Sequence, residues 1–245
     1  MAVVQKLRCR VERIADIGER VYIVDLKPER VFPRFRPGQF LHLALDDYDP
    51  SGFWPESRVF SIASSPSERD WLRIAYSVKG RFTTRMEKEL TEGRQVWIKL
   101  PYGEFFVTDS SDAVLFAGGT GITAFAAFLD TLTPDVKHHV YLAYGARLRS
   151  LLIYRDMIER RAQEVPNFHV SYFIEDDTGG NMLSQDSIRP PRRGRLSAGV
   201  LWTDIRDPGE AIFYLSGPPP MLKTLSKELD DLGVQPEKIK IDAWE

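Results

Sequence analysis

Along the first part of the chain the apolar positions fall in short runs that alternate with polar ones, the spacing of strands with one face against a core. The runs cover residues 3–11, 20–26, 39–45, 57–63, 72–78 and 95–100, and turn signals such as Arg36-Pro37-Gly38 and Thr91-Glu92-Gly93 separate them. Six strands and one helix over residues 83–90 predict a small antiparallel β-barrel. From Ala113 the pattern changes. Apolar strands at 113–117, 139–144, 168–173, 211–215 and 239–241 are interleaved with helical patterns at 122–132, 151–163 and 219–230. That alternation predicts a doubly wound parallel sheet, hence an α/β second domain. The polar stretch Thr108-Asp109-Ser110-Ser111-Asp112 marks the boundary, giving domains 1–108 and 109–245.

Composition narrows the classes. At 245 residues the chain can carry two cores, and 43% hydrophobic with 28% charged residues is globular rather than disordered or fibrous. No apolar run reaches the roughly 20 residues of a membrane-spanning helix, and the N-terminus lacks a signal-peptide core. No transmembrane segment is expected, and the cytoplasm is the expected compartment. A net charge of −2 gives no reason to expect nucleic acid as a partner. The single cysteine, Cys9, excludes an internal disulfide and a self-contained iron–sulfur cluster, so an iron–sulfur acceptor would sit on another chain. His138-His139 has no carboxylate or thiol at ligand spacing, and no metal site is expected.

Two segments carry candidate chemistry. Val114-Leu115-Phe116-Ala117 reads as a buried strand, Gly118 to Gly121 as a turn, and Ile122-Thr123-Ala124-Phe125 as a helix start whose free N–H groups can receive a pyrophosphate. Gly119-x-Gly121-x-x-Ala124 fits a dinucleotide fingerprint, but the next strand end, Tyr144-Gly145-Ala146-Arg147, lacks the acid that fingerprint expects. Farther on, Tyr214-Leu215-Ser216-Gly217-Pro218-Pro219-Pro220-Met221 is a strand running into a Gly-Pro turn and a helix. Ligands collect at such strand ends, which makes Ser216 and Gly217 candidates to face a nicotinamide.

Taken in order, these segments make the chain resemble the ferredoxin–NADP reductase superfamily over nearly its whole length. Arg58-Val59-Phe60-Ser61 matches the family's flavin motif Arg-x-Tyr-Ser, and Gly80-Arg81-Phe82-Thr83 its second flavin segment. Gly118-Gly119-Thr120-Gly121-Ile122-Thr123 matches the nucleotide loop, and Ser216-Gly217-Pro218-Pro219 the Cys-Gly-Pro-Pro motif. The resemblance implies that Arg58 pairs with the flavin pyrophosphate, aided by the helix start at Thr83 and Thr84. Phe60 would lie against the flavin, and Ser61 would contact its reactive N5 edge. Tyr76-Ser77-Val78 would supply backbone contacts, while Gly145, Arg147 and Met221 would join the nucleotide site. Asp242 and Trp244, in the closing segment Ile241-Asp242-Ala243-Trp244-Glu245, would approach the flavin from the nicotinamide side. The expected catalytic set is Ser61, Ser216, Asp242 and Trp244. Two departures stand out: Phe60 replaces a tyrosine, and Ser216 a cysteine.

The resemblance implies an FAD-binding barrel (FMN being the alternative), a nucleotide-binding α/β domain and a flavin between them. Hydride would pass from NAD(P)H to the flavin, and electrons then to a separate acceptor: a ferredoxin, an oxygenase component, a haem protein or a quinone-like molecule. Where NADPH-using relatives carry hydroxyl and basic residues, Glu175-Asp176-Asp177 follows the strand here, so NADH is favoured, with Arg147 keeping NADPH open. The basic loop 189–195 is either a solvated turn or a docking site for an acidic partner. The alternative function is a flavin- and nucleotide-binding subunit of a larger complex with little activity alone.

Overall fold

The computed structural model describes residues 3–176 and 190–242. They form two compact units. One runs to Phe106 and includes Ala126–Phe128; the other comprises Val107–Phe125 and the chain from Leu129 onward.

The first unit contains strands β1 (Gln5–Gly18), β2 (Val21–Pro28), β3 (Phe40–Ala44), β4 (Ser57–Ser61), β5 (Leu72–Ser77) and β6 (Gln95–Tyr102), with helix α1 (Arg81–Glu89) between the last two. The strands form one antiparallel sheet in the order β4-β3-β6-β1-β2-β5. Its end strands approach one another, with the Ala63 amide, just past β4, donating to the Arg73 carbonyl of β5 at 2.8 Å. The result is a nearly closed six-stranded barrel. Alternation explains the core: Leu7, Cys9 and Val11 from β1 meet Val96, Ile98 and Leu100 from β6, all buried. Phe82 and Met86, one helical turn apart, turn the buried face of α1 into the same core. Each such side chain contributes about 1.5–3 kcal/mol on burial.

Strand β1 extends seven residues beyond the predicted 3–11 run, to Gly18. Its pairing with β2 slips between Val11 and Arg13 and again between Asp16 and Gly18. Each slip breaks the period of two that would have announced the strand in the sequence. Glu19 and Arg20 turn the hairpin with φ of 51° and 60°, the conformation of a primed two-residue turn, built without glycine or asparagine at those positions.

The second unit is an all-parallel sheet in the order β10-β9-β8-β7-β11-β12. Its strands are β7 (Ala113–Gly118), β8 (Val140–Ala146), β9 (Phe168–Ile174), β10 (Arg192–Arg193), β11 (Ile212–Ser216) and β12 (Ile239–Asp242). Helices α2 (Thr123–Asp130), α3 (Arg155–Glu164), α4 (Ala198–Trp202) and α5 (Pro219–Asp231) connect them. All six residues of β7 are buried, as expected of a central parallel strand. The chain leaves β7 toward β8 on one side and later returns to β11 on the other. The strand order therefore reverses between β7 and β11, which creates a crevice beyond their carboxyl ends. The fold is the expected barrel followed by a doubly wound sheet. The two-residue β10 and the five-residue α4 are too short to leave a periodic signal. Helix α3 starts later than the predicted 151, because Tyr154 takes a left-handed conformation, φ 60°, immediately before it.

Candidate functional site

The residues expected to bind a nucleotide lie at this reversal. After Gly118 the chain makes one 3-10 turn, Gly119–Ile122, before α2 begins at Thr123. The Thr123 hydroxyl donates to the Thr120 carbonyl at 2.8 Å and fixes the turn. Beside it, β11 ends at Ser216, which pairs with Ala117 of β7 on one side and Asp242 of β12 on the other. Gly217, Pro218 and Pro219 then lead into α5, with proline at its first positions.

The two loops meet backbone to backbone. A Cβ on Gly121 would lie 2.3 Å from the Ser216 carbonyl oxygen and 2.8 Å from Gly217 Cα. One on Gly118 would lie 2.3 Å from Met221 Sδ. These glycines, like Met221, join loop to loop. The remaining glycine is different: a Cβ on Gly119, where φ is +54°, would meet no atom within 4 Å. Gly119 is the position of the turn at which the backbone lies open to a ligand. Gly145, at the end of β8, faces the Leu196 side chain, with which a Cβ would collide at 2.7 Å.

Ser216 and Asp242, two of the four expected catalytic residues, are brought together. The buried Ser216 Oγ donates to Asp242 Oδ2 at 3.0 Å. Trp244, the third on this unit, lies outside the described residues, as do Asp177 and the first residue of the 189–195 loop. Glu175 and Asp176 follow β9. Their amides donate to the Ala146 and Arg147 carbonyls at 3.2 and 2.8 Å, which extends the β8–β9 ladder by two residues. The Glu175 carboxylate accepts from Arg195 Nε at 3.1 Å. Arg195 is a neighbour that sequence spacing, 20 residues away, did not disclose.

The residues expected to bind a flavin lie on β4 and at the start of α1. Within β4, Arg58, Val59, Phe60 and Ser61 pair with Leu43, His42, Leu41 and Phe40 of β3. Phe60 is half-buried on the barrel core, its ring 6.3 Å from Tyr76 and edge-on at 63°. Tyr76 is buried, and burial pushes its phenol well above the ordinary range, so it stays neutral. The Val78 amide, beyond β5, donates to the Arg20 carbonyl at 3.0 Å. At α1, Gly80 precedes the helix in extended conformation. The Thr83 Oγ1 accepts from the Lys79 and Gly80 amides at 3.0 and 3.1 Å and lies 3.1 Å from the Gly80 carbonyl. That hydroxyl caps its own helix, which leaves the first amides of the helix, from Arg81, as the donors with no intrahelical partner.

A further residue, absent from the sequence-derived set, organises this corner. Glu56 Oε1 accepts from Arg81 Nη2 at 3.0 Å and from Arg58 Nη2 at 3.4 Å, and its Oε2 lies 3.9 Å from Arg85. Arg58 also donates to the Ser57 carbonyl at 2.9 Å and lies over the Phe82 ring at 5.3 Å. Guanidiniums beside a helix N-terminus form the donor set that a pyrophosphate requires, and an added Cβ at Gly80 would meet nothing within 4 Å. The residues present fit a dinucleotide cofactor. The only signal for Glu56 in the sequence is its place two residues before Arg58.

Residues 115–227 match the family model described as oxidoreductase NAD-binding domain. The reductase component of phenol 2-monooxygenase from Pseudomonas sp. strain CF600 is 32% identical over 228 residues, which is 89% of this chain and 60% of that protein. The electron transfer component of toluate 1,2-dioxygenase from Pseudomonas putida is 27% identical over 205 residues, 82% of this chain and 56% of the relative. The chain thus spans somewhat more than half the length of these two relatives. Among solved structures, the FAD/NAD-binding domain of nitric oxide dioxygenase from Vibrio cholerae O1 biovar El Tor superposes with a TM-score of 0.77 at 20% identity. That match covers 96% of this chain and 97% of the other. The fold is that of two-domain FAD/NAD-binding reductases. Residues 115–227 thus resemble an oxidoreductase NAD-binding domain, and the two-domain fold is the one that the resemblance of the four motifs implied.

Proposed function

We propose that the chain is a flavin-dependent NAD(P)H oxidoreductase that holds FAD on its barrel, residues 1–108, and the nicotinamide nucleotide on its α/β domain, residues 109–245. Electrons leave to a separate acceptor, for which an oxygenase component is the choice favoured by the names of the relatives. A ferredoxin and a haem protein are the alternatives. The observation that carries this reading is the junction of the Gly118–Gly121 turn with the Ser216–Pro219 turn at the strand-order reversal, with Gly119 open to a ligand. No helix among the described residues is long and apolar enough to cross a membrane.

When bound, NAD(P)H would supply the hydride and the flavin would accept it; the protein's part is alignment and electrostatics. Arg58 and Arg81 hold negative charge at the start of α1, and Phe60 offers an aromatic face beside it. The open backbone at Gly119 and the start of α2 receive the nucleotide phosphates. The Ser216 hydroxyl, tied to Asp242, presents a fixed polar edge at the end of β11. Glu175 and Asp176 place two carboxylates here against the one guanidinium of Arg195 that pairs with Glu175, and the net negative charge disfavours a 2′-phosphate and so favours NADH.

The test is NADH-dependent reduction of ferricyanide by the FAD-loaded chain. Sustained turnover is expected, and Arg58→Ala should weaken FAD binding about tenfold, the loss of one charge-assisted hydrogen bond. A chain that retains FAD but reduces no acceptor would leave the subunit role instead. A chain that binds neither FAD nor nucleotide would overturn both.

A further inference from the structure

On the outside of the barrel, Lys6 of β1 stands directly opposite Lys99 of β6, and His42 of β3 stands opposite Lys99 on its other side. Like charges in directly opposed strand positions repel, so this arrangement costs stability in the isolated barrel. Among the described residues neither lysine has a carboxylate within ion-pair distance. Of the three acids of the nearby loop, Asp46 is engaged with Arg85 at 2.7 Å and Asp49 with Ser51 at 2.7 Å, and the exposed Asp47 makes no ion pair with either lysine. Burial and the Lys6 charge both lower the Lys99 pKa, and burial with the Lys99 charge lowers that of His42.

The lysines lie on aromatic rings. Lys6 Nζ donates to the Tyr48 hydroxyl at 2.6 Å and sits 4.4 Å above that ring; Lys99 Nζ is 5.2 Å from the Trp54 ring. One register step along the same two strands, the Arg8 guanidinium covers Trp97 at 5.3 Å. Next to Trp54 in the chain, Phe53 is fully exposed, at 100%. Tryptophan, tyrosine and arginine around an exposed apolar anchor form the composition of a protein-binding hot spot.

We propose that this outer face of the barrel docks an acidic segment of a protein partner, carboxylates meeting the Lys6–Lys99 pair and an apolar group meeting Phe53. The chemistry favours protein over nucleic acid, because stacking of bases needs free aromatic faces and the cations already cover Trp54 and Trp97. A net charge of −2 over the chain likewise opposes an extended nucleic acid or an anionic bilayer, whose phosphates would reach beyond the patch. The proposal rests on the barrel alone and does not depend on the redox reading.

The probe is poly-L-glutamate, titrated into the full FAD-loaded chain while tryptophan emission is followed. Saturable binding that weakens with salt is expected, with the double variant Lys6→Glu, Lys99→Glu at least about tenfold weaker, as for loss of close charge pairs across an interface. Lys6 is exposed and Lys99 half-buried on the outer face, and retained FAD with an unchanged circular dichroism spectrum shows that the variant folds. Absence of binding, or equal binding by the variant, overturns the proposal. So does tighter binding of single-stranded oligothymidylate or of phosphatidylglycerol vesicles than of poly-L-glutamate.

Discussion

Gly121 shows how a motif can be legible while its physical role is not. The sequence marks it as a glycine through which a pyrophosphate can be approached, whereas the structure uses it to let the next strand's exit loop pass at van der Waals distance. Gly121→Ala forces a Cβ to 2.3 Å from a backbone oxygen. Backbone yields less easily than a side chain, so the substitution should cost about 1–3 kcal/mol in denaturant unfolding and weaken nucleotide binding. Gly119→Ala meets no neighbour; there the cost comes from the positive φ and from intrusion on the ligand's side. Cys9 gives a second residue-scale prediction. It is fully buried in the barrel, and burial drives its thiol pKa far up, so thiolate is absent from the native state. A thiol reagent should label nothing in the folded chain and one equivalent after unfolding; rapid native labelling would contradict the packing. The Ser216–Asp242 pair could be anticipated from a motif and a terminal acid. Arg195 and Glu56 could not, because neither motif spacing nor hydrophobic periodicity encodes an ion pair.

Among the elements, the long alternating or fully apolar runs were readable and the irregular ones were not. The first half of β1 and most of β6 show a period of two and β7 is buried throughout, while β4 and β12 were legible only from their apolar residues and flanking turns. The far half of β1 hides behind two register slips, and α4 and β10 are too short to repeat their pattern. The start of α1 carries the most informative prediction at this scale. Glu56 holds Arg58 and Arg81, the same guanidiniums that a phosphate would take, so a bound dinucleotide competes with this carboxylate. Glu56→Gln removes the competing charge and its repulsion of phosphate. It should tighten FAD binding several-fold, as measured by flavin fluorescence quenching, for an interaction of about 1 kcal/mol at an exposed site. Weaker binding in Glu56→Gln would mean that Glu56 serves instead to hold the arginines in place.

At the scale of the whole molecule, the ion pairs of the barrel predict an acid response. Hydrogen bonds from Arg85 hold Asp46 and Glu89 below the usual carboxylate range, and those from Arg20 do the same for Glu87. For a folded-state pKa below the unfolded one, the stabilisation is full above the unfolded value and lost as pH falls through the folded one. Melting temperature should therefore hold near neutrality and decline as pH drops below about 4, the range where ordinary carboxylates protonate. The decline should be modest, because all three pairs are solvent-accessible. Arg85→Ala should flatten part of it.

The central claim is that these two units form a nicotinamide-to-flavin converter, and it is tested most directly by anaerobic titration of the FAD-loaded chain with NADH and, in parallel, NADPH. Bleaching of the flavin band by NADH at a much lower concentration than by NADPH is the predicted result, given the carboxylates that follow β9. A flavin that neither nucleotide bleaches would contradict the account.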